Sequence, residues 1–95
     1  MEDTQIVDLY WQRDERAILE TQKKYGKFCY GIAKNILSSH EDAEECVNDA
    51  WRNVWESIPP QRPTRFRPWL GKVIRNLALN RWNREHTQKR CAGMT

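Results

Sequence analysis

Several residues in this chain could act as nucleophiles, but none has support. Ser38, Ser39, Ser57, the threonines and Cys29, Cys46 and Cys91 could each attack an electrophile. Covalent catalysis also needs a base within reach and a group that orients it. The two histidines, His40 and His86, stand alone, one at a helix start and one near a helix end, where structural roles suffice. No Gly-rich loop that could cradle phosphates is present. Glu41, Glu44 and Glu45 imitate a metal cluster, yet a helix start attracts carboxylates through its dipole without any metal. No two cysteines have metal-ligand spacing. No catalytic residue, metal site or cofactor is assigned, and the chain reads as a binding protein rather than an enzyme.

Binding chemistry is better represented. Residues 1–50 hold six Lys/Arg against eleven Asp/Glu, whereas residues 51–95 hold ten against two. From Arg62 to Arg90 there are nine cations and one acid, Glu85. Lys72, Arg75, Asn76 and Asn80 recur at helical spacing and share one face. Lys and Arg grip phosphates, and Arg and Asn read guanine and adenine edges. The same pattern fits a solvated face. A charge split of this kind points to two partners, the basic half suiting nucleic acid.

The elements that must position these residues are helical. The chain has 95 residues, enough for one domain, and five Trp, three Tyr and two Phe supply apolar bulk. Strand-like alternation is absent. Apolar spacing predicts a short helix over roughly 4–12, capped by Asp3 or Thr4, with Ile6 and Tyr10 on one face and Val7 and Trp11 on another. A long helix over roughly 15–37 has Asp14 as N-cap and a stripe of Ile18, Tyr25, Cys29, Ile32 and Ile36, widened by Leu19, Phe28 and Ala33. Gly26 and Gly31 inside it suggest tight packing, since each costs about 1 kcal/mol relative to Ala. Ser38 with Glu41, or Ser39 with Asp42, forms a capping box for a third helix. Its stripe is Ala43, Val47, Ala50, Val54 and Ile58, flanked by Cys46, Trp51 and Trp55. Residues 59–64 hold three prolines and read as a stiff, extended linker. Thr64 would cap a fourth helix with the stripe Phe66, Trp69, Leu70, Val73, Ile74, Leu77 and Ala78, fading near His86 into a frayed tail over about 88–95. Ile32, Val47, Val54, Trp69, Val73 and Leu77 are expected in the core. The fold class is all-α, a compact bundle of four helices, one short and three longer. Cys29 and Cys46 read as reduced core residues. No signal peptide or membrane span is visible, so the cytoplasm is the expected compartment.

At this point two motifs resemble a known family. Glu41-Asp42-Ala43-Glu44-Glu45 through Trp55 is similar to the acidic helix of sigma-70 family factors, region 2. Phe66-Arg67-Pro68-Trp69-Leu70 through Trp82 resembles the basic helix that follows it there. The order, the separation and the Pro-containing linker fit the extracytoplasmic-function group. The resemblance covers roughly residues 5–88. It implies that the chain, 1–95, is a single region 2 domain without the region 4 that reads the −35 element. It implies docking on the coiled coil of the largest core RNA polymerase subunit through Asp42, Glu45, Asn48, Asp49 and Arg52. It further implies recognition and melting of the promoter −10 element, with the non-template strand held by Arg62, Arg65, Lys72, Arg75, Asn76, Asn80 and Arg84. Trp69 and Trp82 could stack on bases, although Trp69 lies on the apolar stripe. Asn48 stands where many relatives have Gln, and Asn80 where many have Asp, which removes a negative charge from the DNA side. An anti-sigma factor is a further partner the family admits. Two rivals remain open: a helical protein-interaction module with a solvated basic face, and a helix-turn-helix regulator, for which the linker is long.

Overall fold

The computed structural model describes the backbone of residues 1–94 and the side chains of residues 1–85. Four helices follow one another: α1 (Asp3–Trp11), α2 (Arg16–Leu37), α3 (His40–Ser57) and α4 (Phe66–Met94). The all-α expectation holds. Helix α2 lies at the centre and packs on the other three.

The starts of the helices follow from local chemistry, with three shifts from expectation. Helix α1 begins one residue earlier than Asp3 or Thr4 would cap it: the Glu2 N–H donates to Gln5 Oε1 at 3.0 Å. Asp3 is thereby free to accept from Lys24 Nζ and Tyr25 Oη, each at 2.8 Å, tying α1 to α2. The N-cap of α2 is Glu15 rather than the expected Asp14, which stands one residue earlier and accepts from the Arg16 N–H through Oδ1 at 3.0 Å. Of the two capping serines, Ser39 acts, accepting from the Asp42 N–H at 3.4 Å, while Ser38 turns the chain with φ 65°. Helix α4 starts after Arg65, whose carbonyl accepts from the Trp69 N–H at 3.2 Å, so Thr64 lies one residue too early to be the cap. The helix then runs to Met94 instead of fading near His86, because no Gly or Pro interrupts residues 72–92. The side chains of 86–95, including His86, Cys91 and the expected frayed tail, lie outside the described residues.

The core is built from small residues on one helix and larger ones on its neighbours. On α2 the buried row is Ala17, Thr21, Tyr25, Cys29 and Ala33, every fourth residue. Ile18, Ile32 and Ile36 flank it half-buried, and Leu19 is 48% exposed. Two residues past Ala17, Leu19 projects about 200° round the helix, away from the core. The α3 stripe is buried as expected, with Cys46 and Trp51. On α4 the buried line is Phe66, Leu70, Ile74 and Ala78, while Trp69, Val73 and Leu77 are half-buried beside it. The apolar stripe is wider than the seam it fills, so Ile32, Trp69, Val73 and Leu77 line the edges of grooves rather than the core expected for them. Val47 and Val54 are buried.

Tyr10 joins all four helices. It lies against Trp55 and Phe66 at ring separations of 6.1 and 6.2 Å and donates to Thr21 Oγ1 at 2.8 Å. The Thr21 hydroxyl in turn donates to the Ala17 carbonyl at 2.8 Å, so this buried polar pair is satisfied. Burial pushes the Tyr10 hydroxyl up to about 12. On the neighbouring face of α1, Trp11 is 40% exposed, although Val7 is buried.

Gly26 and Gly31 do not mark close packing: an added Cβ would meet nothing within 4 Å at either. The close approach is at Gly71, where a Cβ would stand 3.4 Å from Phe28 Cζ.

Candidate nucleic-acid and polymerase interfaces

The linker that leads into α4 is pinned rather than extended. It begins as a turn, the Gln61 N–H donating to the Ser57 carbonyl at 3.0 Å. Two indoles then hold Gln61: Trp11 Nε1 donates to its backbone carbonyl and Trp69 Nε1 to its Oε1, each at 3.1 Å. Arg62 pairs with Asp8 and lies over the Trp11 ring. Trp69 stacks on Phe66 with an interplanar angle of 16°. The end of α3 has no basic residue of its own. Arg13 supplies one from the α1–α2 turn, donating to the Trp55 and Ile58 carbonyls at 2.8 and 2.9 Å with its guanidinium over the Trp55 ring. The favourable sign of a cation at a helix C-terminus explains this placement.

On α4 the expected basic set divides among three grooves. Lys72 and Asn76 line a cleft with Asn53, Ser57, Gln61 and Trp69. Lys72 and Arg75 line another with Ile32 and Gly71, against α2. Asn80 and Arg84 lie further along with Asp49, Cys46, Leu77 and Arg81, against α3. All of Lys72, Arg75, Asn76, Asn80 and Arg84 are exposed, as are Arg62 and Arg65 in the linker.

The acidic helix also divides. Asp42 and Asp49 are seven residues apart and face α4. Asp42 and Glu45 both receive Arg81, the Asp42 contact being 3.4 Å. The hydrogen bond to Glu45 raises the Arg81 pKa further, so its charge is fixed. Asn48 and Arg52 are exposed on the outer face. Arg81 is the residue that sequence reasoning passed over. It continues the line of Leu70, Ile74 and Leu77 at spacings of four, three and four, so it points toward the bundle and meets α3. That spacing was the available signal.

His40 bridges Tyr30 Oη at 2.5 Å and Glu44 Oε1 at 2.5 Å, a structural role at the start of α3. Cys29 and Cys46 are free and buried. Burial pushes the Cys29 thiol up to about 11 and raises that of Cys46. Among the described residues, no group of three or more His, Cys, Asp or Glu could hold a metal ion, and no helix is long and apolar enough to cross a membrane.

Residues 22–88 match the family described as sigma-70 region 2. The match takes in most of the chain, and the chain belongs to this family, whose members are domains of transcription initiation factors. A probable RNA polymerase sigma factor, RfaY, from Xanthomonas campestris pv. campestris is 27% identical over 78 residues. Those residues make up 82% of this chain and 18% of that protein, so the chain spans under a fifth of the relative's length. No solved structure matches the chain.

Proposed function

We infer that this domain binds core RNA polymerase through α3 and holds the non-template strand of a melted −10 element on the linker and α4, acting in the bacterial cytoplasm. The observation that carries the reading is the outer face of α4. Lys72, Arg75, Asn76 and Asn80 are all exposed there, and no carboxylate occurs between Ser57 and Arg84. Such a face attracts phosphates, and its amides can read base edges. Arg62, Arg65 and Arg84 extend the same charge along the linker and the helix. On α3, Asn48 and Arg52 offer an outward surface to the largest-subunit coiled coil. Asp42, Glu45 and Asp49 form its edge toward α4. The burial of Ile6, Val7 and Tyr10 supports residues 1–21, which precede the matched span, acting as part of the same unit. An anti-sigma factor would have to cover one of these two faces.

The test is strand binding by the reconstituted holoenzyme at fixed salt. A −10-like single strand should bind more tightly than a scrambled one, and Asn80→Ala should narrow that preference. Equal binding of both strands would leave the basic face as a solvated surface. In a pull-down, Asp49→Ala should weaken core binding while its circular dichroism stays unchanged. Undiminished binding would remove Asp49 from the polymerase surface.

A further inference from the structure

The groove between α2 and α4 shares Lys72 and Arg75 with the α4 face, but its α2 side belongs to none of the surfaces assigned above. Its floor is apolar: Phe28 and Ile32 of α2 lie under Gly71, with Phe28 Cζ and Ile32 Cδ1 3.4 and 3.6 Å from where a Gly71 Cβ would be. Its α4 wall carries Arg67, Lys72 and Arg75, the Arg67 guanidinium lying 4.7 Å over the Phe28 ring. On α2, Lys27, Gly31 and Asn35 form the next row outward, one turn apart and all exposed.

Charge sets this groove apart. Between Thr21 and His40 there are four lysines and no carboxylate, and none occurs on α4 before Glu85. Neither wall can therefore neutralise its cations. Lys27, Arg67, Lys72 and Arg75 have no ion pair among the described residues, whereas Arg16, Lys24 and Arg62 each have one and Arg81 has two. Gly31 is a bare stretch of helix on the rim, with open space where a side chain would stand. Glycine at such a place lets a ligand approach the backbone.

We propose that the α2–α4 groove is a second single-strand DNA subsite, in which a splayed base rests on the Phe28–Ile32–Gly71 floor and the flanking phosphates are held by Lys27, Arg67 and Arg75. An apolar or aromatic floor between cations is the arrangement that takes unpaired bases without regard to sequence. The subsite is continuous with the α4 face through Lys72 and Arg75, so it rests on the α4 reading and extends the strand's path onto α2.

Site-specific photocrosslinking tests it in the holoenzyme on a pre-melted promoter bubble with a labelled non-template strand. A photoreactive residue replaces Asn35 in one preparation and Asn76 in another. Crosslinks to the strand from both positions are expected. A strand crosslink from 76 with none from 35 overturns the subsite and leaves the α4 reading standing. A crosslink from 35 to a polymerase subunit makes the groove a protein contact and also overturns it. If neither position reaches DNA, the α4 reading falls and the subsite with it. As a second measurement, Gly31→Gln fills the rim with a helix-favouring side chain. It should weaken strand binding at least threefold and leave core affinity unchanged. Lys27→Ala should flatten the salt dependence by about 0.7, one phosphate contact on a single strand. Unchanged strand affinity and slope in these folded variants would overturn the proposal.

Discussion

Helix α4 has two flanks, and they treat charge in opposite ways. Toward α3 it meets carboxylates: Arg81 is bound by Asp42 and Glu45, and Asp49 shares a groove with Asn80 and Arg84. Toward α2 it meets none, and Arg67, Lys72 and Arg75 have no ion pair among the described residues. The acidic first half and basic second half of the chain are thus partly spent on each other inside the fold. Only the charge left over on the α2 side and the outer face of α4 is available to a polyanion. Net charge by segment overstates what a surface offers, because tertiary packing can cancel it locally.

The comparison can be broken most strongly at the wall both flanks share. Leu70 is fully buried, and Leu70→Ala should destabilise the domain by about 2–5 kcal/mol in chemical denaturation. A loss below about 1 kcal/mol would mean that α4 is not anchored as described.

Arg81→Ala should open the α3 flank alone. The side chain is 27% exposed, and its Nε is buried with no hydrogen-bond partner among the described residues. The imperfect burial limits the expected loss to on the order of 1 kcal/mol, decreasing with added salt. Arg81→Met, which keeps the packing, should lose less. Equal losses in low and high salt would show that the contact is packing rather than charge.

The α1–α2 contact is a control away from both flanks. Desolvation raises the Asp3 pKa, but hydrogen bonds from Lys24 and Tyr25 outweigh it and hold the carboxyl below its usual 3.8. A lowered native pKa gives stability that is full above the unfolded value and lost as pH falls through the native one. Asp3→Asn should therefore cost less than about 1 kcal/mol at neutral pH, and the difference from the unsubstituted protein should begin to shrink near pH 3.8 and vanish only once the pH is below the lowered native pKa. A difference that persists in acid would assign the effect to something other than ionisation.

Gly26→Ala should stabilise by about 0.5–1 kcal/mol, since the site is helical and open. A lower melting temperature would reveal a neighbour the groove geometry does not show. The smallest change should come from the unpaired cations. Lys72→Ala and Arg75→Ala should move folding stability by less than about 0.5 kcal/mol, while each flattens the salt dependence of strand binding by about 0.7. A large stability loss would mean that these side chains serve the fold.

Helical periodicity made the four helices and the α3 stripe legible, because buried positions on a helix repeat at fixed spacing whatever lies opposite. It could not show how wide a seam would be, so Ile32, Trp69, Val73 and Leu77 were expected deeper than they lie. A cap was legible where the side chain acts on its own helix, as Ser39 does. It was not where a distant residue acts, as Arg13 does on α3, because sequence separation hides that contact. The linker's prolines suggested extension, but the two indoles that hold Gln61 come from α1 and α4.

The sequence by itself determined the helix content, the residue types on each face and membership of the sigma-70 region 2 family, since these depend on local spacing and motif order. Only the tertiary structure decided which charges are neutralised. Arg81 and Arg75 lie on the same helix with the same side chain, and a sequence reading treats them alike. One points along the buried line and meets Asp42 and Glu45. The other faces a helix that has lysines and no carboxylate between Thr21 and His40. Which carboxylates come within a few ångströms of a cation is a property of packing, and that separates a structural arginine from one left free for a partner.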